Sequence, residues 1–126
     1  MEKLRILLVD DEQDFVESVV KRLNDRGLDA GGVTSGSQAL NLLDTQDFDV
    51  AILDYRMPEM DGVEALREMK KKRPRMSFIM LTGQSVSDLG VQGLQLPDQN
   101  FVVKPVSIDD LVKLIHQVHQ RKLKER

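Results

Sequence analysis

Three carboxylates, a hydroxyl and an amine close short apolar runs in this chain. Asp10 and Asp11 follow Ile6–Val9, Asp54 follows Phe48–Leu53, Thr82 follows Met76–Leu81, and Lys104 follows Phe101–Val103. One polar residue at the end of an apolar run says little, because every strand must surface somewhere. A set of complementary types says more. Carboxylates brought together repel one another, and at least one should hold its proton more tightly unless a cation is present. Hard oxygen donors in that number suit Mg²⁺, which takes few carboxylates and keeps several waters. A lysine and a hydroxyl beside them could stabilise the equatorial oxygens of a phosphoryl group in transfer. One carboxylate could then be the acceptor, forming an acyl phosphate.

The elements that must position these residues follow from periodicity. Leu4–Val9, Phe48–Leu53, Met76–Leu81 and Phe101–Val103 read as strands buried on both faces, and Leu28–Val33 as a weaker strand containing Gly31 and Gly32. A helix over residues 13–26 presents Phe15, Val16, Val19, Val20 and Leu23 as an apolar stripe, and Gly27 stops it. Ser35-x-x-Gln38, Asp61-x-x-Glu64 and Ser107-x-x-Asp110 open further helices. Residues 83–100 leave room for another helix before the fifth strand, but Gly90, Gly93 and Pro97 interrupt it and its apolar residues form no clean stripe. A short, irregular segment is expected there, with fast amide exchange across Gln84–Leu96. Strands alternating with helices imply a single α/β domain with a parallel sheet covered on both faces. Ligands of such sheets lie beyond the carboxyl ends of the strands, where all five polar residues fall.

Composition narrows the function. The 126 residues suit one domain, and the net charge of −3 with a single Tyr and no Trp argues against nucleic-acid binding. The charge is unevenly placed: residues 1–63 carry 14 acidic and 6 basic side chains, residues 64–126 carry 7 and 12. No apolar run exceeds four residues, far short of the ~20 that span a bilayer, so no membrane partner is expected. Zero cysteines exclude disulfides and thiolate metal sites, and with no secretory signal the expected location is the cytoplasm.

Taken together, the chain resembles the receiver domain of two-component response regulators over nearly its whole length. The marks are Val9–Asp10–Asp11–Glu12, then Leu53–Asp54–Tyr55–Arg56–Met57–Pro58–Glu59–Met60–Asp61–Gly62, then Thr82–Gly83 and Val103–Lys104–Pro105. The resemblance implies a flavodoxin-like (βα)5 doubly wound parallel sheet with strand order 2-1-3-4-5, a domain over residues 1–121 and a charged tail or linker start at 122–126. It implies that Asp54 accepts a phosphoryl group from a sensor histidine kinase or phosphotransfer protein. Mg²⁺ would be held by Asp10, Asp11, Asp54 and the backbone carbonyl of Arg56, with Asp10 acting through water. Lys104 would pair with the phosphoryl oxygens, Thr82 would close on one of them, and Phe101 would be the aromatic that swings inward on activation. The protein would be a switch rather than an enzyme, signalling or homodimerising through its fourth helix, fifth strand and last helix. A cis Lys104–Pro105 bond is also implied.

Alternatives differ at named residues. A flavodoxin-type FMN binder needs N–H donors after the first strand, whereas Asp10–Asp11–Glu12 would repel a phosphate without a metal. An aspartyl phosphatase would want a second carboxylate two residues past Asp54, where Arg56 stands. A receiver-like module that is never phosphorylated usually lacks one of the five site residues, and here all are present. Arg56 and Gln84 occupy positions that resemble those tuning phosphate lifetime. His116 and His119 read as solvated, and the basic run Lys70–Arg75 as a surface loop and a partner for a helix C-terminal dipole.

Overall fold

A computed structural model describes residues 3–57, 62–83 and 100–124. Strands β1 (Arg5–Val9), β2 (Asp29–Val33), β3 (Val50–Asp54), β4 (Ser77–Thr82) and β5 (Phe101–Val103) form one parallel sheet in the order β2-β1-β3-β4-β5. The described helices are α1 (Gln13–Asp25), α2 (Gly36–Leu43), α3 (Gly62–Lys72) and α4 (Ile108–Lys124). The expected helix before β5, with the exchange predicted for Gln84–Leu96, and the capping residue Asp61 lie outside the described residues. The last helix runs on to Lys124.

The period-two alternation of the strands divides the core between two faces. Ile6, Leu8, Val50, Ile52, Ile79 and Leu81 point toward Val16, Val19 and Leu23 of α1 and Leu111, Ile115 and Val118 of α4. Leu7, Val9, Ala51, Leu53, Phe78 and Met80 point toward Ala39 and Leu43 of α2 and Ala65, Leu66 and Met69 of α3. Fully burying such a side chain stabilises by about 1.5–3 kcal/mol, which explains how five-residue strands can hold the sheet.

Local chemistry sets the ends of the helices. Gly27, at φ +85°, terminates α1: its N–H donates to the Asn24 carbonyl and the Leu28 N–H to that of Leu23, a Schellman closure. Ser35 and Ser107 cap α2 and α4 by accepting from the N–H groups of Gln38 and Asp110, both at 3.1 Å. The reciprocal arm at α2 is displaced by one residue, since the Gln38 side chain accepts from the Thr34 N–H at 2.9 Å rather than from Ser35. The weak look of β2 has a packing cause. A Cβ on Gly32 would stand 2.3 Å from Val16 Cγ1, so only glycine lets α1 lie this close to the strand.

The basic run is engaged with its neighbours. Lys72 bonds Asp44 and the Leu40 carbonyl, while Arg73 bonds the Leu43 carbonyl and pairs with Asp47, so both side chains cover the C-terminal end of α2. The dipole they serve belongs to α2 rather than to their own helix.

Candidate functional site

Strand register brings the acids together. Val9 lies opposite Leu53, so Asp10 and Asp54 emerge side by side from adjacent strands. Thr82 closes β4 one residue beyond Leu81, the partner of Asp54, and lies opposite Val103. The backbone continues the ladder just past β5, with the Lys104 N–H donating to the Thr82 carbonyl at 2.7 Å. The Lys104–Pro105 peptide bond is cis, as the resemblance implies.

Asp10, Asp11 and Asp54 each place a carboxylate oxygen within 4.8 Å of the others, the only such metal-competent cluster among the described residues. Asp10 is fully buried, Asp54 is 8% exposed, and Asp11 faces solvent. Asp10 Oδ1 accepts from the Glu12 N–H at 2.9 Å, which fixes the carboxylate plane at the entry to α1. The Lys104 ammonium donates to Asp10 Oδ2 at 2.8 Å, stands 3.4 Å from Asp54 Oδ1, and lies 3.8 Å from Glu12 Oε1. It also sits over the Phe15 ring, 4.6 Å from the centroid.

The electrostatics follow from this crowding. Burial, then the neighbouring charge of Asp10, pushes Asp54 from the usual 3.8 up to about 6, with Lys104 acting in the opposite direction. Burial works to lower the Lys104 pKa, but the Asp10 hydrogen bond and the charges of Asp10 and Asp54 outweigh it and hold the ammonium protonated above its ordinary range. One ammonium therefore does not cancel the repulsion among the three acids. The donor set retains a demand for a further cation, and hard oxygens of this number fit Mg²⁺.

Thr82 is buried at the carboxyl end of β4, and Phe101 is buried in the core cluster that includes residues of α2 and α3. Arg56 is exposed two residues past Asp54. Of the two histidines, His116 is exposed and His119 is half-buried in a hollow of about 400 Å³ with Phe48 and Arg75, at the far end of the sheet. Gln84 lies outside the described residues.

Three neighbours of the site were not legible as site residues. Phe15 read as one member of an apolar stripe, and Glu12 as part of an acidic turn; only the folded chain puts both against Lys104. Gly62 opens α3 against the site, since a Cβ there would stand 2.3 Å from the Asp54 carbonyl oxygen and 3.0 Å from the Tyr55 Cα. Its N–H donates to the Tyr55 carbonyl at 2.9 Å. A glycine eight residues after an acid carries no signal of that contact by itself.

The family model of the response regulator receiver domain matches residues 6–116. The chain belongs to that family. Among curated relatives, the receiver is 35% identical over 123 residues to the alginate biosynthesis transcriptional regulatory protein AlgB of Pseudomonas putida, covering 97% of this chain and 28% of that protein. It is 34% identical over 116 residues to the response regulator SaeR of Staphylococcus aureus, covering 92% and 50% respectively. The receiver thus spans half or less of the length of these relatives. Among solved structures it superposes on a receiver domain protein from Clostridium thermocellum with a TM-score of 0.82 at 28% identity, covering 98% of this chain and 99% of that one. The non-phosphorylated HemR receiver domain of Leptospira biflexa gives 0.79 at 28% identity, covering 93% and 94%. Among the described residues of the receiver, no helix is long and apolar enough to cross a membrane.

Proposed function

We propose that this receiver accepts a phosphoryl group on Asp54 from a phosphohistidine of a sensor kinase or phosphotransfer protein, and that the reaction depends on Mg²⁺. The observation that carries this reading is the placement of Asp54 at the end of β3, beside Asp10 and with the Lys104 ammonium 3.4 Å from its Oδ1. A carboxyl that titrates at about 6 is mostly ionised at neutral pH yet more basic than an ordinary aspartate, which suits a nucleophile. Its oxygen attacks phosphorus as the phosphorus–nitrogen bond breaks, and the electron pair leaves with the imidazole nitrogen.

Asp10, Asp11, Asp54 and the Arg56 carbonyl would hold Mg²⁺, which when bound supplies positive charge against the carboxylates and the phosphoryl oxygens. Lys104 leaves Asp10 for a phosphoryl oxygen, and the Thr82 hydroxyl donates to another. These movements pull on β4 and β5, and the change passes to Phe101 and α4. That face would then control a linked output domain, a partner or a second copy of the receiver. Acting only on itself, the domain is a switch, working in the cytoplasm where its kinase presents the phosphohistidine.

Incubation of the protein with acetyl phosphate and Mg²⁺ should add one phosphate by intact mass. Chelator and the Asp54→Asn substitution should each abolish the addition. Undiminished labelling of Asp54→Asn would overturn the assignment.

A further inference from the structure

In the proposed reaction Lys104 has to leave Asp10 for a phosphoryl oxygen, so what holds it at rest matters. Its ammonium is surrounded by Asp10, Asp54 and Glu12, and one further direction is closed by the face of Phe15, 4.6 Å away. That ring is anchored from below, because Phe15 packs against the core beneath α1 and α4. One side of the ring is thereby held on the core while its face meets the ammonium. An aromatic face attracts a cation through its quadrupole, and the attraction grows when the cation is shielded from water. The Lys104 side chain is only 21% exposed, so the shielding is substantial.

We propose that Phe15 is a positioning residue, which holds the Lys104 ammonium on the carboxylate cluster. This inference rests on the proposed phosphoacceptor role for its purpose but not for its geometry. Two effects of opposite sign follow. By keeping the ammonium against Asp10, the ring favours a competitor of Mg²⁺ for that carboxylate. By keeping the same ammonium within reach of Asp54, it prepares the cation that a phosphoryl group on Asp54 needs. Replacing Phe15 by leucine keeps an apolar side chain on the core and removes the ring face. The variant should then bind Mg²⁺ more tightly while accepting phosphate more slowly, each on the order of threefold to fivefold. A variant that merely loosened the fold would lose on both measures.

The decisive measurement uses the metal-free, unphosphorylated protein. The Lys104 ε-methylene protons should resonate upfield of the other lysines, because the ammonium they adjoin sits over the ring. The shift should persist in Phe15→Tyr and vanish in Phe15→Leu. Titration of Mg²⁺ into wild type, Phe15→Leu, Lys104→Met and the double variant supplies the second arm. Phe15→Leu should alter the affinity only where Lys104 is present. An unshifted ε-methylene, or an equal effect of Phe15→Leu in the Lys104→Met background, would overturn the proposal. Neither readout involves phosphoryl transfer, so failure of the phosphoacceptor reading would show separately in the labelling of Asp54.

Discussion

The Lys104 ammonium lies closer to Asp10, at 2.8 Å, than to Asp54, at 3.4 Å. In the resting arrangement the lysine therefore serves chiefly as the counter-charge of the fully buried acid, and Asp54 is left partly uncompensated.

That imbalance sets a pH dependence. The folded carboxyl of Asp54 titrates at about 6 against 3.8 for an ordinary aspartate. The folded state therefore binds more protons than the unfolded state between these values, and the metal-free protein should lose stability as pH rises through that window. The loss attributable to Asp54 is at most about 3 kcal/mol. Asp54→Asn should make the metal-free protein more stable above pH 6 and flatten the profile. Urea unfolding at several pH values in the presence of chelator checks this, and an unchanged slope would contradict it.

Removing the lysine should act in the opposite direction. Lys104→Met leaves Asp10 buried beside Asp54 with no cation, and should destabilise the metal-free protein by roughly 1–3 kcal/mol, less than for a wholly buried pair because the lysine is partly exposed. Mg²⁺ binding should survive, since the ammonium is a competitor and not a ligand, and should tighten several-fold. Thermal melts with and without Mg²⁺ would show a larger metal-induced gain for the variant than for wild type.

Gly62 gives a purely steric test. A Cβ there meets the Asp54 carbonyl oxygen at 2.3 Å, and backbone cannot swing aside as a side chain can. Gly62→Ala should cost about 1–3 kcal/mol and slow phosphorylation by shifting the end of β3. Gly31→Ala, where a Cβ meets nothing within 4 Å, is the matched control and should leave both measures nearly unchanged. Equal effects of the two substitutions would show that the close approach at Gly62 is tolerated.

The sheet and the gathering of Asp10, Asp11, Asp54 and Lys104 at one edge were legible because each rests on local sequence. Alternating apolar residues set the strands, Ser35 and Ser107 announced two helix starts, and the polar residues at strand ends marked one edge. What escaped depends on contacts between distant segments. Gly32 looked like a flaw in a strand until α1 was placed 2.3 Å from its would-be Cβ. Arg73 looked like one charge in a basic run until it reached the end of α2, 30 residues away in sequence. Lys104 was expected to wait for a phosphoryl group, and nothing in the spacing says that it rests on Asp10 and Phe15 meanwhile.

The Asp10–Lys104 pair joins residues 94 apart in sequence, from the first strand to the last. During synthesis, the acids of β1 and β3 emerge from the ribosome long before their counter-charge does. Non-local contacts of this span form late, because loop closure opposes them until the intervening chain has packed. The charge-compensated site is thus completed only as the last strand docks. A chain still being made, or one truncated before residue 104, has Asp10 and Asp54 but not the Lys104 ammonium that pairs with both. Asp10 and Asp54 therefore share their lysine only once the whole sheet is in place.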